Sequence, residues 1–193
     1  MKTEKETQDA YGANSRQVMT EIDAVLSRVT PSEVETLVQE IMSAEKVFVV
    51  AVGRVFLALQ CFCKRLVHLG INANIVGAVN EGAFTEKDLL LVASGSGESV
   101  FPKVIAEKAV KLKGRIGLIT SAESSTIKSM AHFAVHLPCP TKNDKNRGVI
   151  SIQPMSTLFD QALHIFGDIV SLSIQNRKHI PKDELWRFHA NLE

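Results

Sequence analysis

Three observations predict an α/β fold, with a parallel sheet held between helical layers. Five short runs rich in Val, Ile and Leu alternate with helical patterns at the spacing of βαβ units. One of them, Leu89 to Ala93, is apolar throughout, as suits a strand buried on both faces. The chain then switches at once to small residues, Ser94-Gly95-Ser96-Gly97-Glu98-Ser99, before a helical pattern from Val100 to Lys113. A length of 193 residues with 45% hydrophobic content can build one substantial core. A single domain is therefore expected, with N-terminal helices over 1–45, an α/β core over 46–180 and a tail over 181–193.

Taken in order, Met1 to about Gly12 is polar and predicts a frayed or loosely docked start. From Asn14 or Ser15, Val18, Ile22, Val25, Leu26 and Val29 recur at helical spacing. Thr30-Pro31-Ser32-Glu33 restarts a helix: Thr30 can cap, Pro31 suits the first helical position, and Glu33 can close a capping box. Val34, Leu37, Val38, Ile41 and Met42 form its predicted buried stripe. Lys46 to Val52 reads as a central strand, and a helix from about Phe56 to Leu69 ends at Gly70. Asn72 to Val79 is the second strand, and Asp88 opens the third. Arg115 to Thr120 and His132 to Leu137 are the fourth and fifth, separated by a short helix over Ser124 to Met130. Pro138 to Gly148 is a polar loop. A long helix runs from Pro154 or Met155 to about Lys178, and a short one lies near Lys182 to Arg187.

Composition excludes several roles. A formal net charge of +1 offers no electrostatic basis for binding nucleic acid or an anionic membrane. No apolar segment reaches bilayer length, and Met-Lys-Thr-Glu-Lys-Glu at the start contains no apolar signal region. A cytoplasmic enzyme or binding protein is expected. Cys61, Cys63 and Cys139 have no paired spacing, so buried thiols in a reducing compartment account for them better than a zinc site. The histidines likewise show no ligand spacing, and no metal is expected.

Chemistry is expected beyond the carboxyl ends of the strands, where ligands sit in open parallel sheets. Three loops fall on that edge: Gly53-Arg54, Ser94 to Ser99, and Thr120 to Ser125. The serine loop offers hydroxyls, backbone N–H groups and a helix N-terminus, a set that suits a phosphate. A plain serine-rich turn that caps the following helix has the same composition. Nucleotide sites fit poorly, because Val52-Gly53-Arg54-Val55-Phe56 lacks a Gly-x-Gly-x-x-Gly turn and the serine loop lacks a P-loop lysine.

The serine loop resembles the phosphosugar loop of the sugar isomerase (SIS) domain family. Arg65-Leu66-Val67-His68-Leu69-Gly70, Pro154-Met155-Ser156-Thr157-Leu158-Phe159 and the ending His189-Ala190-Asn191-Leu192-Glu193 are similar to the 6-phospho-3-hexuloisomerases within it, over nearly the whole chain. The resemblance implies a flavodoxin-like sandwich with a five-stranded parallel sheet, assembled as a homotetramer. It also implies interconversion of 3-hexulose 6-phosphate and fructose 6-phosphate without metal or organic cofactor. By the same resemblance, Ser94, Gly95, Ser96, Gly97, Glu98, Ser99, Gly53 and Arg54 hold the substrate. Asp160 is then the base, and His189 assists, reaching the site of a neighbouring subunit.

Two departures from the family pattern stand out. Where the family reads Gly-Arg-Ser-Gly, this chain reads Gly53-Arg54-Val55-Phe56, without the substrate-contacting serine. Where it reads Leu-Phe-Glu, this chain reads Leu158-Phe159-Asp160, a carboxylate one methylene shorter; displacement of a catalytic group by about 1 Å can cost roughly 100-fold in rate. A non-catalytic phosphosugar-binding sensor, or an isomerase of another sugar phosphate, stays open on these residues. Simpler roles also remain: Asp160 favouring a helix dipole, His189 as an ordinary tail histidine, Glu98 bonding loop N–H groups, and His68 as a structural residue.

Overall fold

The computed structural model describes residues 4–141 and 148–192. The expected polar loop therefore falls partly, over 142–147, outside the described residues, as do Met1 to Thr3. Five strands, β1 (Val47–Val50), β2 (Ala73–Ile75), β3 (Leu89–Ala93), β4 (Arg115–Thr120) and β5 (Phe133–His136), form one parallel sheet in the order β2-β1-β3-β4-β5. This is the doubly wound order that reverses between β1 and β3. Helices α1 (Glu4–Leu26), α2 (Pro31–Ser43), α3 (Gly53–His68) and α6 (Thr157–Arg177) cover one face, and α4 (Val100–Lys111) and α5 (Thr126–Met130) the other. A short 3₁₀ turn, Glu184–Phe188, follows.

Strand alternation divides the core in two. Val47, Val49, Leu89, Leu91 and Ala93 pack toward α1, α2, α3 and α6, while Phe48, Val50, Leu90, Val92, Ile116 and Leu118 pack toward α4 and α5. Both faces of β1 and β3 are buried, which explains why their sequences show no polar alternation.

Several expectations need correction. The first helix starts at Glu4 rather than Asn14, so the described part of the stretch expected to fray, Glu4 to Gly12, is helical. Gly12 costs roughly 1 kcal/mol relative to Ala in a helix interior, too little to break a run of helix formers. Thr30 makes no side-chain cap; Pro31 does open α2, but the Glu33 carboxylate accepts the His136 N–H at 3.0 Å, joining α2 to β5. Met42 is exposed, and so is Cys61, whereas Cys63 and Cys139 are buried. The second strand stops at Ile75: the Ala78 N–H bonds the Ile75 carbonyl and the Glu81 carboxylate accepts the Gly77 N–H, curling the segment into turns. Gly70 ends α3 as expected, with φ +73°, and its missing side chain also leaves room for the Phe188 ring.

Candidate active site

The site lies where β1 and β3 diverge. The first turn of α3 leaves β1, the serine loop leaves β3, and α6 brings its N-terminus across both. Between them is a cavity of about 360 Å³ lined by Gly53, Arg54, Gly95, Ser96, Ser99 and Thr141, with apolar walls that include Val55 and Phe159. The chain-reversal edge of the sheet thus holds a pocket walled by hydroxyls on one side and hydrocarbon on the other.

The serine loop is built in two layers. Ser94 is buried: its Oγ accepts the Gly97 N–H at 3.0 Å and lies 3.1 Å from the Ser99 Oγ. Gly97 has φ +65°, and a Cβ there would stand 2.5 Å from the Ser125 Cβ and closer still to its Oγ. Only glycine combines that backbone with that approach. Glu98 turns away from the cavity and accepts the Thr126 N–H at 2.6 Å, at the start of α5, a contact that holds its carboxyl below the usual range. Gly95, Ser96 and Ser99 therefore line the cavity, while Ser94, Gly97 and Glu98 hold the loop in shape from behind.

Ser99 occupies the position that would cap α4, yet its hydroxyl makes no capping bond, and the first turn of α4 carries no acidic residue. The Ser99 hydroxyl instead lies against the Ser94 Oγ, and the first-turn N–H groups of α4 face the loop without a side-chain cap.

The third expected loop does not reach the cavity. Thr120 is buried, its Oγ1 donating to the Gly95 carbonyl at 3.2 Å, and the Ser121 N–H bonds that same carbonyl at 3.1 Å. Ser125 caps α5 by accepting the Lys128 N–H at 3.1 Å. This loop is a brace for the serine loop.

Asp160, in the first turn of α6, is only 5% exposed. Its Oδ2 accepts from the Arg54 Nε at 2.9 Å, and its Oδ1 is buried without a partner among the described residues. Burial pushes its carboxyl above the usual range, and the Arg54 hydrogen bond and charge pull it partway back. The Arg54 side chain is 68% exposed, and the residue borders both the cavity at the serine loop and a second, open groove of about 510 Å³ that contains Asp160. One guanidinium thus stands between the hydroxyl loop and the buried carboxylate.

His189 is elsewhere. Its ring stacks on His68 with centroids 5.1 Å apart, at the far end of α3 from Arg54. At 1.5 Å per residue, Gly53 and His68 are separated by about 22 Å along the helix. His68 is buried, and its imidazole is pushed down by burial and by the nearby Lys64, Arg65 and His189 charges. Within one chain, the tail histidine and Asp160 are not brought together.

Sequence reasoning passed over several residues of the site. Val52, Pro140, Thr141, Met155 and Ser156 also line the cavity, and Met155 holds a left-handed backbone, φ +57°, at 81% exposure. No periodicity or motif marks the two cavity residues that follow β5. Glu21 was likewise silent in an apparently structural helix. It is buried in α1 and accepts from the Ile152 N–H at 3.0 Å, the Ser151 Oγ, the Gln153 Nε2 at 3.1 Å and the Gln17 Nε2 at 3.1 Å. That carboxylate fixes the segment leading into Met155 and Ser156. Burial raises its carboxyl, but the hydrogen bonds outweigh burial and leave it below the usual range.

Among the described residues, no group of three or more His, Cys, Asp or Glu side chains is placed to hold a metal, and no helix is long and apolar enough to cross a membrane.

No established family model matches the chain. It is 32% identical over 177 residues to the 3-hexulose-6-phosphate isomerase of Bacillus subtilis, covering 92% of this chain and 96% of that one. It is 34% identical over 176 residues to the 3-hexulose-6-phosphate isomerase of Mycobacterium gastri, covering 91% and 88%. A crystal structure from Methanococcus jannaschii, described as inferring a 3-hexulose-6-phosphate isomerase function, superposes with a TM-score of 0.78 at 25% identity over 96% of this chain and 99% of that one.

Proposed function

The chain belongs to the 3-hexulose-6-phosphate isomerase family of sugar isomerase (SIS) proteins, and on that premise we propose that it interconverts 3-hexulose 6-phosphate and fructose 6-phosphate through a 2,3-enediol. The observation that carries the reading is the single pocket in which Ser96, Ser99 and Arg54 meet, with the Asp160 carboxylate directly behind Arg54. The phosphate docks on the Ser96 and Ser99 hydroxyls and the open N–H groups of α4, with Arg54 supplying a positive charge. Asp160 takes the proton from carbon two to give the enediolate and returns it to carbon three. The hydroxyl proton passes between the two oxygens, so the isomerisation needs no oxidant or reductant. A base of raised affinity for protons in a largely buried setting suits this step.

His189 enters only from a second copy, because its own chain holds it at the opposite end of α3. A homotetramer is the assembly we propose for that exchange. A cytoplasmic setting completes the reading, supported by three free cysteines of the kind a reducing compartment preserves.

A coupled assay that detects fructose 6-phosphate formed from 3-hexulose 6-phosphate tests the proposal; folded protein without turnover would defeat it. Val55 favours a second reading, since it places a hydrocarbon wall in the cavity where the family pattern has a hydroxyl. Under that reading the chain is a phosphosugar sensor, and sugar phosphates raise its melting temperature without being converted.

A further inference from the structure

The ion pair between Arg54 and Asp160 has an unusual position for a structural contact. It joins the first turn of α3 to the first turns of α6 across the boundary between two cavities. It is made through one nitrogen: the Nε donates to Oδ2, and no hydrogen bond found among the described residues uses Nη1 or Nη2. The side chain is mostly in solvent, its Nη1 and Nη2 donors are uncommitted among the described residues, and the residue borders the cavity that Gly95, Ser96 and Ser99 line as well as the groove of Asp160. Its partner has no such freedom, because Asp160 is buried and its second oxygen has no alternative donor among the described residues. Of the two groups, Arg54 is therefore the one that can move.

We propose that Arg54 is a positioning residue that reports anion occupancy to the base: a phosphate seated on the serine loop draws the guanidinium off Asp160, and the carboxylate is left unpaired only when ligand is present. The inference rests on the reading of Ser96 and Ser99 as the phosphate seat. A dianionic group offers two oxygens to the planar guanidinium fork, against a single contact with Asp160. Loss of the nearby positive charge leaves a carboxylate in a desolvated pocket, where its affinity for a proton rises. The empty site thus keeps its base quiet, and the occupied site makes it strong.

The surroundings of Asp160 fit this coupling. From α3 it meets Arg54; the segment after β5 places the buried Cys139 thiol within electrostatic reach; His164 lies one turn further along its own helix and borders the same groove. Helix α1 contributes Val18, Met19 and Ile22 to that groove and no charge. Of these groups only Arg54 is hydrogen-bonded to Asp160, so its departure leaves the carboxylate without a bonded cation among the described residues.

The test follows the Asp160 side-chain carboxyl by ¹³C NMR across a pH titration, with and without saturating inorganic sulfate, a dianion at every pH used. Asp160→Asn assigns the signal. In the native protein, sulfate should perturb the Ser96 and Ser99 amides and move the Asp160 midpoint upward. In Arg54→Gln the midpoint should already be high and should not respond, while sulfate still reaches the loop with affinity weakened roughly 10-fold or more, as expected on losing a charge-assisted contact. Native kinetics should show the acid limb of kcat at higher pH than that of kcat/KM, and the two limbs should coincide in Arg54→Gln. Loop amides that respond to sulfate while the Asp160 midpoint stays still would overturn the coupling and leave the anion seat standing. Loop amides that ignore sulfate would overturn the seat itself and the coupling with it.

Discussion

Replacing Asp160 by Asn separates the chemical role of this carboxylate from its place in the fold. The side chains are nearly isosteric, and the Asn Oδ1 can still accept from the Arg54 Nε that now bonds Oδ2 at 2.9 Å. Two terms then oppose each other. An amide NH₂ takes the place of the buried, unpartnered Oδ1, and an unsatisfied buried donor costs on the order of 1–3 kcal/mol. Against this, a charge is removed from a site where burial disfavours it, a gain on the same order. Arg54 contributes little either way, since a mostly exposed partner retains its water. Folding stability should therefore change by no more than about 2 kcal/mol in either direction. Turnover should fall by about 10²–10⁴-fold, the usual contribution of a positioned general base. Urea denaturation and the coupled isomerase assay on the same preparation measure both. The pH dependence adds a signature: the folded carboxyl lies above its ordinary value of 3.8, so the charged form costs stability. The native protein should accordingly lose stability as pH rises from that ordinary value through the raised one, and Asp160→Asn should abolish this slope. A variant that keeps a tenth or more of native kcat would refute Asp160 as the base.

Three other perturbations follow from the same structure. Gly97→Ala combines a left-handed backbone with collision against Ser125, and should cost about 2–4 kcal/mol in urea denaturation while sugar phosphates lose their stabilising effect in thermal shift; an unchanged thermal shift would show the loop shape to be dispensable. Glu21→Gln removes the charge and turns one of the two acceptor oxygens that hold Ser151 to Gln153 into a donor facing donors, and should destabilise the fold by about 2–3 kcal/mol at neutral pH. Because the Glu21 carboxyl is depressed, its contribution is present above the ordinary value of 4.5 and lost as pH falls through the folded one, so native and variant stabilities should converge in acid. Burial pushes the Cys63 thiol up to about 11 and the Cys139 thiol up to about 12, so a thiol reagent at pH 8 should titrate Cys61 alone in the folded protein and all three cysteines after denaturation.

The strands were legible because burial on both sheet faces leaves a continuous apolar run, and Leu89 to Ala93 could hardly be anything else. Element ends were less legible. Helix α3 begins at Gly53, three residues before its apolar pattern, because its first residues, Gly53 and Arg54, are exposed and its first turn is tied to α6 through Arg54 and Asp160 rather than marked by periodicity. The site divided the same way. Hydroxyls and glycines after a buried strand mark a loop that lines the cavity, yet Ser94 and Ser96 are indistinguishable as letters. Their roles diverge because Ser94 still continues the strand, its N–H bonded to the Ile119 carbonyl and its buried Oγ to the Gly97 N–H, whereas the turn that follows brings Ser96 to the cavity.

From its sequence alone this chain determines a parallel α/β sheet and, at the carboxyl edge of that sheet, a loop of hydroxyls and glycines. Those properties are written locally, in hydrophobic period, turn residues and hydroxyl content. Tertiary structure alone decided that Asp160 is buried against Arg54, a contact across 106 positions. It also decided that Glu98 and the Thr120 to Ser125 loop brace the site, and that His189 lies at the far end of α3. Pairing and burial depend on which elements the fold brings side by side, and no local pattern records the distance between residues that are remote along the chain.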